Sequence, residues 1–180
     1  MTSDILKSKT RQNTNGVVQF TFTHRLSLID VNVNKQDTES RFNVKLKSVR
    51  FDGIYLTGIQ RNANWTDLSN NGSFTVFSGN QVLPETPSFE SLGGAMLIPQ
   101  SLAGDEAKLH VEYLICPVSG DDEWPVSANV PLSEVFGNVS FQWEMNKHYT
   151  LTITIVPGDP IEFTVEWSDW GTVNNWHITS

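Results

Sequence analysis

The sequence predicts an all-β protein, an antiparallel β-sandwich, and two observations support this prediction. Residues 149–155 and 161–167 each alternate apolar with polar side chains, and the turn formers of residues 156–160 separate them. Because successive side chains on a strand point to opposite faces, each run has one face suited to a core and one suited to water. No segment shows a long apolar pattern at the helical period of about 3.6 residues. Brief strands separated by Gly, Pro and Asn turns are typical of a sandwich.

Alternating or clustered apolar residues predict the strands of the N-terminal half. The predicted strands cover residues 18–22, 29–33, 42–51, 54–56, 74–77 and 95–99. Asp52-Gly53 is a tight-turn pair, so a hairpin turn is expected between the third and fourth of these strands. Residues 58–72 are rich in Asn, Gly, Ser, Thr and Asp and predict a long surface loop, and residues 80–93 predict a second irregular stretch.

The C-terminal half repeats this organisation. Residues 108–116 alternate well and predict a strand, and an acidic loop is expected at residues 117–125. A weaker strand is predicted at residues 126–132, where Pro131 interrupts it. The best helical candidate is short and lies at residues 132–136. The hairpin described above then closes the domain.

The charge of the chain argues against several classes of partner. Its 12 Lys and Arg and 20 Asp and Glu residues give a formal net charge of −8. The richest basic stretch, Lys45, Lys47 and Arg50, alternates with apolar residues and is interpreted as the solvent face of a strand. Nucleic-acid binding would require a basic stripe, and an anionic membrane would repel this chain. No apolar run reaches the roughly 18 residues that a membrane-spanning helix requires.

The N-terminal residues and the cysteine count give expectations about the compartment. No signal peptide is visible near Met1, because an apolar segment of the required length is missing. Taken literally, this predicts a cytosolic chain, and the alternative is that the chain is a fragment of a longer precursor. Cys116 is the single cysteine, so a disulfide within the chain is impossible, and the thiol is expected to be buried.

The residue patterns predict no catalytic, cofactor-binding or metal-binding site. The four histidines are scattered without the spacing of a metal site, and the acidic loop lacks the calcium-binding pattern of an EF-hand. Glu112, Glu162 and Glu166 are expected on the polar faces of strands, where no pair suited to glycoside hydrolysis can be chosen. Nucleophile-elbow and phosphate-loop motifs are missing as well. The chain is therefore predicted not to be an enzyme.

Four motifs in order resemble one known family. Residues 18–26 are similar to an "F-x-H-x-L" strand, and residues 96–100 to an "L-I-P-Q" strand end. Residues 143–149 are similar to a "W-x-x-N/G-K-x-Y" strand entry, and residues 161–170 to a closing segment, here "I-x-F-x-V-x-W-x-x-W". This order and spacing, over about residues 15–170, resembles the fimbrillin-like proteins, the type V pilins of Gram-negative gut and oral anaerobes.

The resemblance implies a domain organisation and a mode of assembly. Full-length relatives have two sandwiches of transthyretin-like topology after a lipoprotein signal. By this resemblance, residues 1–16 form a connector, residues 17–170 the second sandwich, and residues 171–180 a tail or edge strand. The family assembles by donating a β-strand into an open groove of the next subunit. Trp176 and Ile178 alternate as in a donor strand, and the alternative is that the tail caps its own domain.

The function implied by the resemblance is structural. It implies a non-enzymatic subunit of a cell-surface, outer-membrane fimbria, with other fimbrial subunits and host proteins or glycans as partners. Whether the subunit belongs to the stalk, tip or anchor stays open. The second hypothesis is a carbohydrate-binding module of a surface glycan system, in which Trp65 and Trp124 share one concave patch, and a hydrolase is the third. Either Trp could instead fold back over an open end of the sandwich.

Three further tryptophans fall within the family motifs and are expected to pack in the core or at strand ends. These are Trp143, Trp167 and Trp170. Replacement of Trp167 or Phe163 by Ala is accordingly expected to destabilise the fold by roughly 3–5 kcal/mol, as other large core truncations do.

Overall fold

The structure is a computed structural model that describes residues 7–10, 20–37, 39–62, 64–137 and 141–171. Within these residues the chain forms ten strands and one short helix. They are β1 (Lys7–Thr10), β2 (Phe20–Thr23), β3 (Ser27–Lys35), β4 (Phe42–Arg61), β5 (Asn64–Val82), β6 (Glu90–Leu97), β7 (Lys108–Pro117), β8 (Trp124–Pro131), α1 (Leu132–Val135), β9 (Lys147–Ile155) and β10 (Glu162–Asp169). β1 falls within the range for which a connector is predicted.

Two four-stranded sheets form a sandwich. One sheet has the order β10-β9-β3-β6 and the other the order β5-β4-β7-β8, while β1 and β2 form a small separate ribbon. Neighbouring strands are antiparallel, apart from the parallel pair of β3 and β9. The predicted all-β sandwich is confirmed, and its transthyretin-like topology stays a prediction.

The core lies between the two sheets and follows the alternation of the sequence. On β9, the side chains of Tyr149, Leu151, Ile153 and Ile155 are buried, while the residues between them are half-buried. Val44, Leu46, Val49 and Phe51 supply the facing layer from β4. Because each sheet buries one apolar face, the period-2 pattern alone places these strands.

Gly53 lies inside a strand, so the predicted turn at Asp52-Gly53 is wrong. β4 continues through this position, and its pairing with β5 shifts register between Phe51 and Ile54. Gly53 has a φ of +69°, and a Cβ added there would lie 2.2 Å from the carbonyl oxygen of Glu106. The glycine therefore permits a bulge and a close backbone approach.

Residues 58–61 and 64–72 are strand, so the predicted long loop is also wrong. β7 pairs with β4 only from Phe42 to Asp52, and beyond that point β4 pairs with β5 alone. We call residues 54–61 and 64–72 the β4–β5 arm. In a two-stranded ribbon much of both faces meets water, so Asn, Ser and Thr replace the apolar residues that mark other strands. This polar composition is the reason that the sequence predicted a loop in place of the two strands.

The C-terminal half matches the expectations with small shifts. The short helix predicted at residues 132–136 is confirmed as α1. Trp124, expected in the acidic loop, is instead the first residue of β8, so the loop ends two residues earlier than predicted. The predicted terminal hairpin is confirmed as the antiparallel pair of β9 and β10.

Candidate functional site

The inward face of each sheet is left partly uncovered at one edge strand. Along β10, Phe163 and Val165 are half-buried and Trp167 is 64% exposed. Their cross-strand partners on β9 are Ile153, Leu151 and Tyr149, all buried. Burial therefore falls abruptly from β9 to β10, which shows that the opposite sheet does not reach over this edge.

The other sheet has the same arrangement at β8. Val126, Ala128 and Val130 are half-buried along its inward face, and Trp124 is 48% exposed at its start. Their partners along β7 are more deeply covered. We call the two inward-facing rows, Trp124 to Val130 on β8 and Phe163 to Trp167 on β10, the open edge of the sandwich.

The backbones at the open edge are regular. β9 pairs with β10, and β7 with β8, without a register shift. In the part of the chain that the structure describes, no strand pairs with the outer side of β8 or β10. By contrast, β5 shifts register against β4 at four points and β6 shifts once against β3. Bulges discourage strand addition, so β8 and β10 are the edges best suited to receive another strand.

A cleft of about 620 Å³ opens at the α1 end of this edge. Its aromatic floor is formed by Phe136, Phe141 and Tyr149, and Trp167 stands at its rim. Phe136 and Phe141 stack with ring centroids 4.4 Å apart, and Phe141 meets Tyr149 edge-on at 5.6 Å. The floor is therefore apolar, rigid and open to an inserted side chain.

Lys147 determines the charge at the rim of this cleft. Its Nζ donates a hydrogen bond to Asp169 Oδ1 at 2.7 Å and lies 4.5 Å from the centroid of the Trp167 ring. The hydrogen bond to Asp169 raises the pKa of the Lys147 ammonium, and burial raises the pKa of the Tyr149 phenol. Both groups keep their protons at neutral pH, so the cleft presents a cation and a neutral phenol beside the Glu144 carboxylate, which also lines it.

Trp167 is exposed, which corrects the expectation that it packs in the core. It occupies an inward-facing position, as the alternation predicts, but none of the described strands covers it. Trp143 is 1% exposed and confirms the core prediction for that residue. Trp170 is half-buried and stacks on the His24 ring with a centroid distance of 3.7 Å, which confirms packing beyond the strand end.

Trp65 and Trp124 lie at opposite ends of one sheet. Trp124 pairs with Ile115 of β7, which in turn pairs with Val44 of β4. Trp65 pairs with Gln60 of β4, which lies 16 residues beyond Val44 along the same strand. Measured along β4 these 16 residues cover about 50 Å at the rise of a strand, and Trp65 lies beside residues 99–101 and 142–145, which Trp124 does not approach. A single concave patch holding both is therefore wrong. Trp176 and Ile178 lie outside the described residues, and their role at an interface stays a prediction.

The two tryptophans also differ in their contacts. Trp65 is half-buried and donates its indole N–H to the carbonyl oxygen of Arg25 at 2.6 Å. Trp124 tilts against the Phe42 ring at 6.0 Å. Trp65 therefore joins the β4–β5 arm to the body of the sandwich, while Trp124 ends the apolar row of β8.

Ionisable side chains outside the open edge form pairs. His110 is 5% exposed and its ring nitrogens contact Asn129 at 2.6 Å and Glu112 at 2.8 Å, and His148 contacts Asp30 at 2.7 Å. Among the described ranges, His, Cys, Asp and Glu nowhere gather in a group of three that could hold a metal. None of the helices in that part of the chain is long and apolar enough to cross a membrane. Cys116 is buried, as expected.

The chain belongs to the fimbrillin-like family, whose family model matches residues 1–170. No match was found among curated proteins. A fimbrial protein of known structure from Bacteroides vulgatus aligns with a TM-score of 0.60 at 14% identity, over 84% of this chain and 56% of that protein. A candidate cell adhesion protein from Bacteroides uniformis aligns with a TM-score of 0.51 at 14% identity, over 84% and 53%.

A third structure, a candidate cell adhesion protein from Parabacteroides distasonis, aligns with a TM-score of 0.50 at 13% identity, over 86% of this chain and 55% of that protein. At such identities the likeness concerns the fold. The chain spans a little over half the length of each of these three structures.

The sequence contains a signal for the open edge that residue patterns alone did not resolve. Trp124, Val126, Ala128 and Val130 alternate with other residues, although the strand predicted there is weaker than those of the core. Alternation shows which face of a strand turns inward, but it does not show whether another sheet covers that face. Phe136 and Phe141, which build the floor of the cleft, lie outside any alternating run and gave no signal.

Proposed function

We propose that this protein is a structural subunit of a cell-surface fimbria and that it receives a β-strand from a neighbouring subunit at its open edge. The observation that carries the proposal is the row of Phe163, Val165 and Trp167, which turns inward yet stays partly uncovered. A strand added beside β10 pairs its free backbone groups and covers these side chains at the same time.

The dimensions of the open edge suit a short donor. β8 and β10 are each eight residues long. A donor strand of that length spans about 26 Å and directs about four side chains inward. Trp124 and the cleft beside Trp167 lie toward opposite ends of the edge, because α1 follows β8 directly and Phe136 lines the cleft. An incoming aromatic side chain fits the cleft between Trp167 and Phe141.

In this proposal the donor strand is the tail, residues 171–180, whose apolar residues alternate as a donor strand requires. Trp176 and Ile178 are two residues apart, so on a strand they point to the same face. In the proposed assembly Trp176 enters the cleft of the next subunit and Ile178 covers an adjacent apolar position. Residues 17–170 then act as the receiving sandwich and residues 171–180 as the donor.

Family membership supports the biological setting of the proposal. The fimbrillin-like match covers nearly the whole chain, and the solved structures of similar fold are described as a fimbrial protein and candidate cell adhesion proteins. We place the subunit at the cell surface, carried to the outer membrane as part of a lipoprotein precursor. Other fimbrial subunits are its partners, and its work is structural and adhesive without catalysis.

Two complementary variants test strand donation directly. The first, W176N/I178N, removes the donor side chains but keeps the open edge. The second, Val165→Glu, places a charge in the open edge but keeps the tail. We expect native mass spectrometry to show wild-type oligomers, monomers of either variant alone, and 1:1 heterodimers when the variants are mixed.

The control is N174S/N175S, which changes the tail while keeping its apolar residues, and which should assemble like wild type. Oligomers that persist in both apolar-site variants would contradict donation through this edge. A wild-type chain that stays monomeric at every concentration would contradict donation by this tail.

A further inference from the structure

A second cleft lies between the tip of the β4–β5 arm and the body of the sandwich, and it shares Gln142 and Glu144 with the cleft beside Trp167. It encloses about 400 Å³, within the range of roughly 300–1,000 Å³ typical of small-molecule sites. The arm contributes Asn64, Trp65 and Leu68 to one wall, and residues 99–101 and 142–145 form the other. The cleft therefore lies between an extended ribbon and the body of the sandwich.

Trp65 provides a fixed flat surface in this cleft. Its indole N–H is held by the Arg25 carbonyl at 2.6 Å. A Cβ added at Gly58 would lie 2.7 Å from Leu68 Cδ2 and 3.4 Å from Trp65 Cε3, so the glycine leaves room for both side chains to pack onto the arm. A ring fixed by packing and a hydrogen bond loses little freedom when a ligand stacks on it.

Gln100 holds the two walls together. Its side-chain oxygen accepts a hydrogen bond from the Tyr55 backbone N–H at 2.8 Å, and its amide nitrogen donates to the Tyr55 carbonyl at 3.1 Å. Its own carbonyl accepts the backbone N–H of Trp143 at 2.9 Å. The cleft is thus formed before any ligand arrives, which lowers the entropy cost of binding.

Polar side chains of residues 142–144 lie at the cleft, and among the described residues one of them is an unpaired donor. Trp143 lines the cleft and is 1% exposed, yet its Nε1–H has no hydrogen-bond partner in the part of the chain that the structure describes. Buried donors of this kind are rare and call for an explanation. Gln142 and Glu144 flank Trp143, are exposed, and also line the cleft. Among the described residues that line it, Glu144 alone has an ionisable side chain, and the Arg25 guanidinium lies beside the cleft, 4.0 Å from Met145 Sδ.

From these observations we infer that the cleft at the tip of the arm binds a neutral sugar ring of a glycan. The apolar face of a pyranose stacks on Trp65, and its hydroxyl groups donate to the Glu144 carboxylate and the Gln142 amide oxygen. The carboxylate that lines the cleft repels an acidic sugar placed against it, so the ligand class is neutral hexoses and N-acetylhexosamines.

The experiment uses the full chain and defined probes. Saturation-transfer NMR and calorimetry are run with glucose, galactose, mannose, N-acetylglucosamine and their disaccharides, and a glycan array extends the panel. We expect binding to at least one neutral probe. Trp65→Ala should weaken it by about tenfold or more, and Q142A/E144A, which changes exposed residues, should do the same. Phe89→Ala, which removes an exposed aromatic ring outside both clefts, is the matched control and should bind like wild type.

Circular dichroism and thermal unfolding of each variant separate loss of binding from loss of fold. Failure of wild type to bind every neutral probe at millimolar concentration would overturn the inference. Binding that survives both Trp65→Ala and Q142A/E144A would overturn it as well. Gln142 and Glu144 also line the cleft beside Trp167, so Trp65→Ala is the decisive variant, and it should leave the oligomers of the chain unchanged.

Discussion

The ammonium group of Lys147 lies 4.5 Å from the centroid of the Trp167 ring, at an edge where that ring is 64% exposed. An exposed tryptophan held by a cation is a poor contributor to a core and a good contributor to an interface. The alternation of β10 does not show whether Trp167 is a core residue or an interface residue, whereas its exposure and its contact with Lys147 do. Trp167 turns inward like a core residue, and the missing cover makes it part of the open edge.

The two tryptophans of the closing motifs should differ sharply in their effect on stability. Trp143→Ala removes a fully buried ring that packs against Phe51 and Phe136, and should cost about 3–5 kcal/mol. Trp167→Ala should cost under about 1 kcal/mol, the value of an exposed cation–π contact. Urea unfolding of both variants measures the difference. Equal losses in the free energy of unfolding would show that the Trp167 ring is covered in the isolated chain.

Gly53 should tolerate substitution less well than a glycine in open space. Ala at position 53 adds strain at φ +69° and a clash with the Glu106 carbonyl, and should cost about 2–4 kcal/mol. Gly104 also has a positive φ, +85°, but nothing lies within 4 Å of an added Cβ. Gly104→Ala should therefore cost about 1 kcal/mol. Similar losses in chemical denaturation would argue against the bulge at Gly53.

Much of the fold could be predicted from sequence because the core obeys one simple rule. Period-2 alternation located β3, β7, β9 and β10, since each turns one apolar face toward the opposite sheet. The rule failed at the β4–β5 arm, where a ribbon outside the sandwich has no core to face. It failed again at Gly53, because Asp-Gly signals a tight turn equally well in a hairpin and within a bulged strand.

Gln100 should determine the orientation of the β4–β5 arm. Gln100→Leu leaves the N–H and carbonyl of Tyr55 without their side-chain partners and should cost about 1–3 kcal/mol. Hydrogen exchange of residues 54–61 should accelerate, because the base of the arm loses its attachment. Gln81→Leu, on the exposed side of β5, is the control and should change stability by about 0.5 kcal/mol or less. An arm that exchanges at the wild-type rate in Gln100→Leu would refute this role.

Stability should fall in strongly alkaline solution. Burial raises the pKa of the Tyr149 and Tyr113 phenols above the value of about 10 that they have in an unfolded chain. Below about pH 10 both phenols are neutral in either state. As the pH rises from there through the folded-state pKa, the unfolded chain ionises first, so the free energy of unfolding decreases. Thermal unfolding across this window measures the loss.

Tyr149→Phe provides the test of that assignment. It removes one of the two ionising phenols and one hydrogen bond, from the Glu144 backbone N–H to the Tyr149 hydroxyl. The variant should be less stable at neutral pH but should lose less additional stability above about pH 10. An alkaline slope as steep as that of wild type would contradict the assignment.

The surfaces that carry the proposed functions were only partly readable in the sequence. Trp65 and Trp124 stood out because large aromatic residues occurred in polar surroundings, but pairing places them at opposite ends of a sheet. The polar groups beside Trp65 come from residues 99–101 and 142–145, far away in sequence. These segments come together only in the folded chain, so a local sequence pattern does not predict that they form one cleft.

The central claim is that the outer side of β10 is a vacant position for a strand. Hydrogen–deuterium exchange tests it most directly, on the full chain carrying W176N/I178N and a synthetic peptide of residues 171–180. The account predicts saturable slowing of amide exchange in residues 162–169, with no slowing when the peptide sequence is scrambled. Unchanged exchange in β10, or slowing confined to β5, would contradict it.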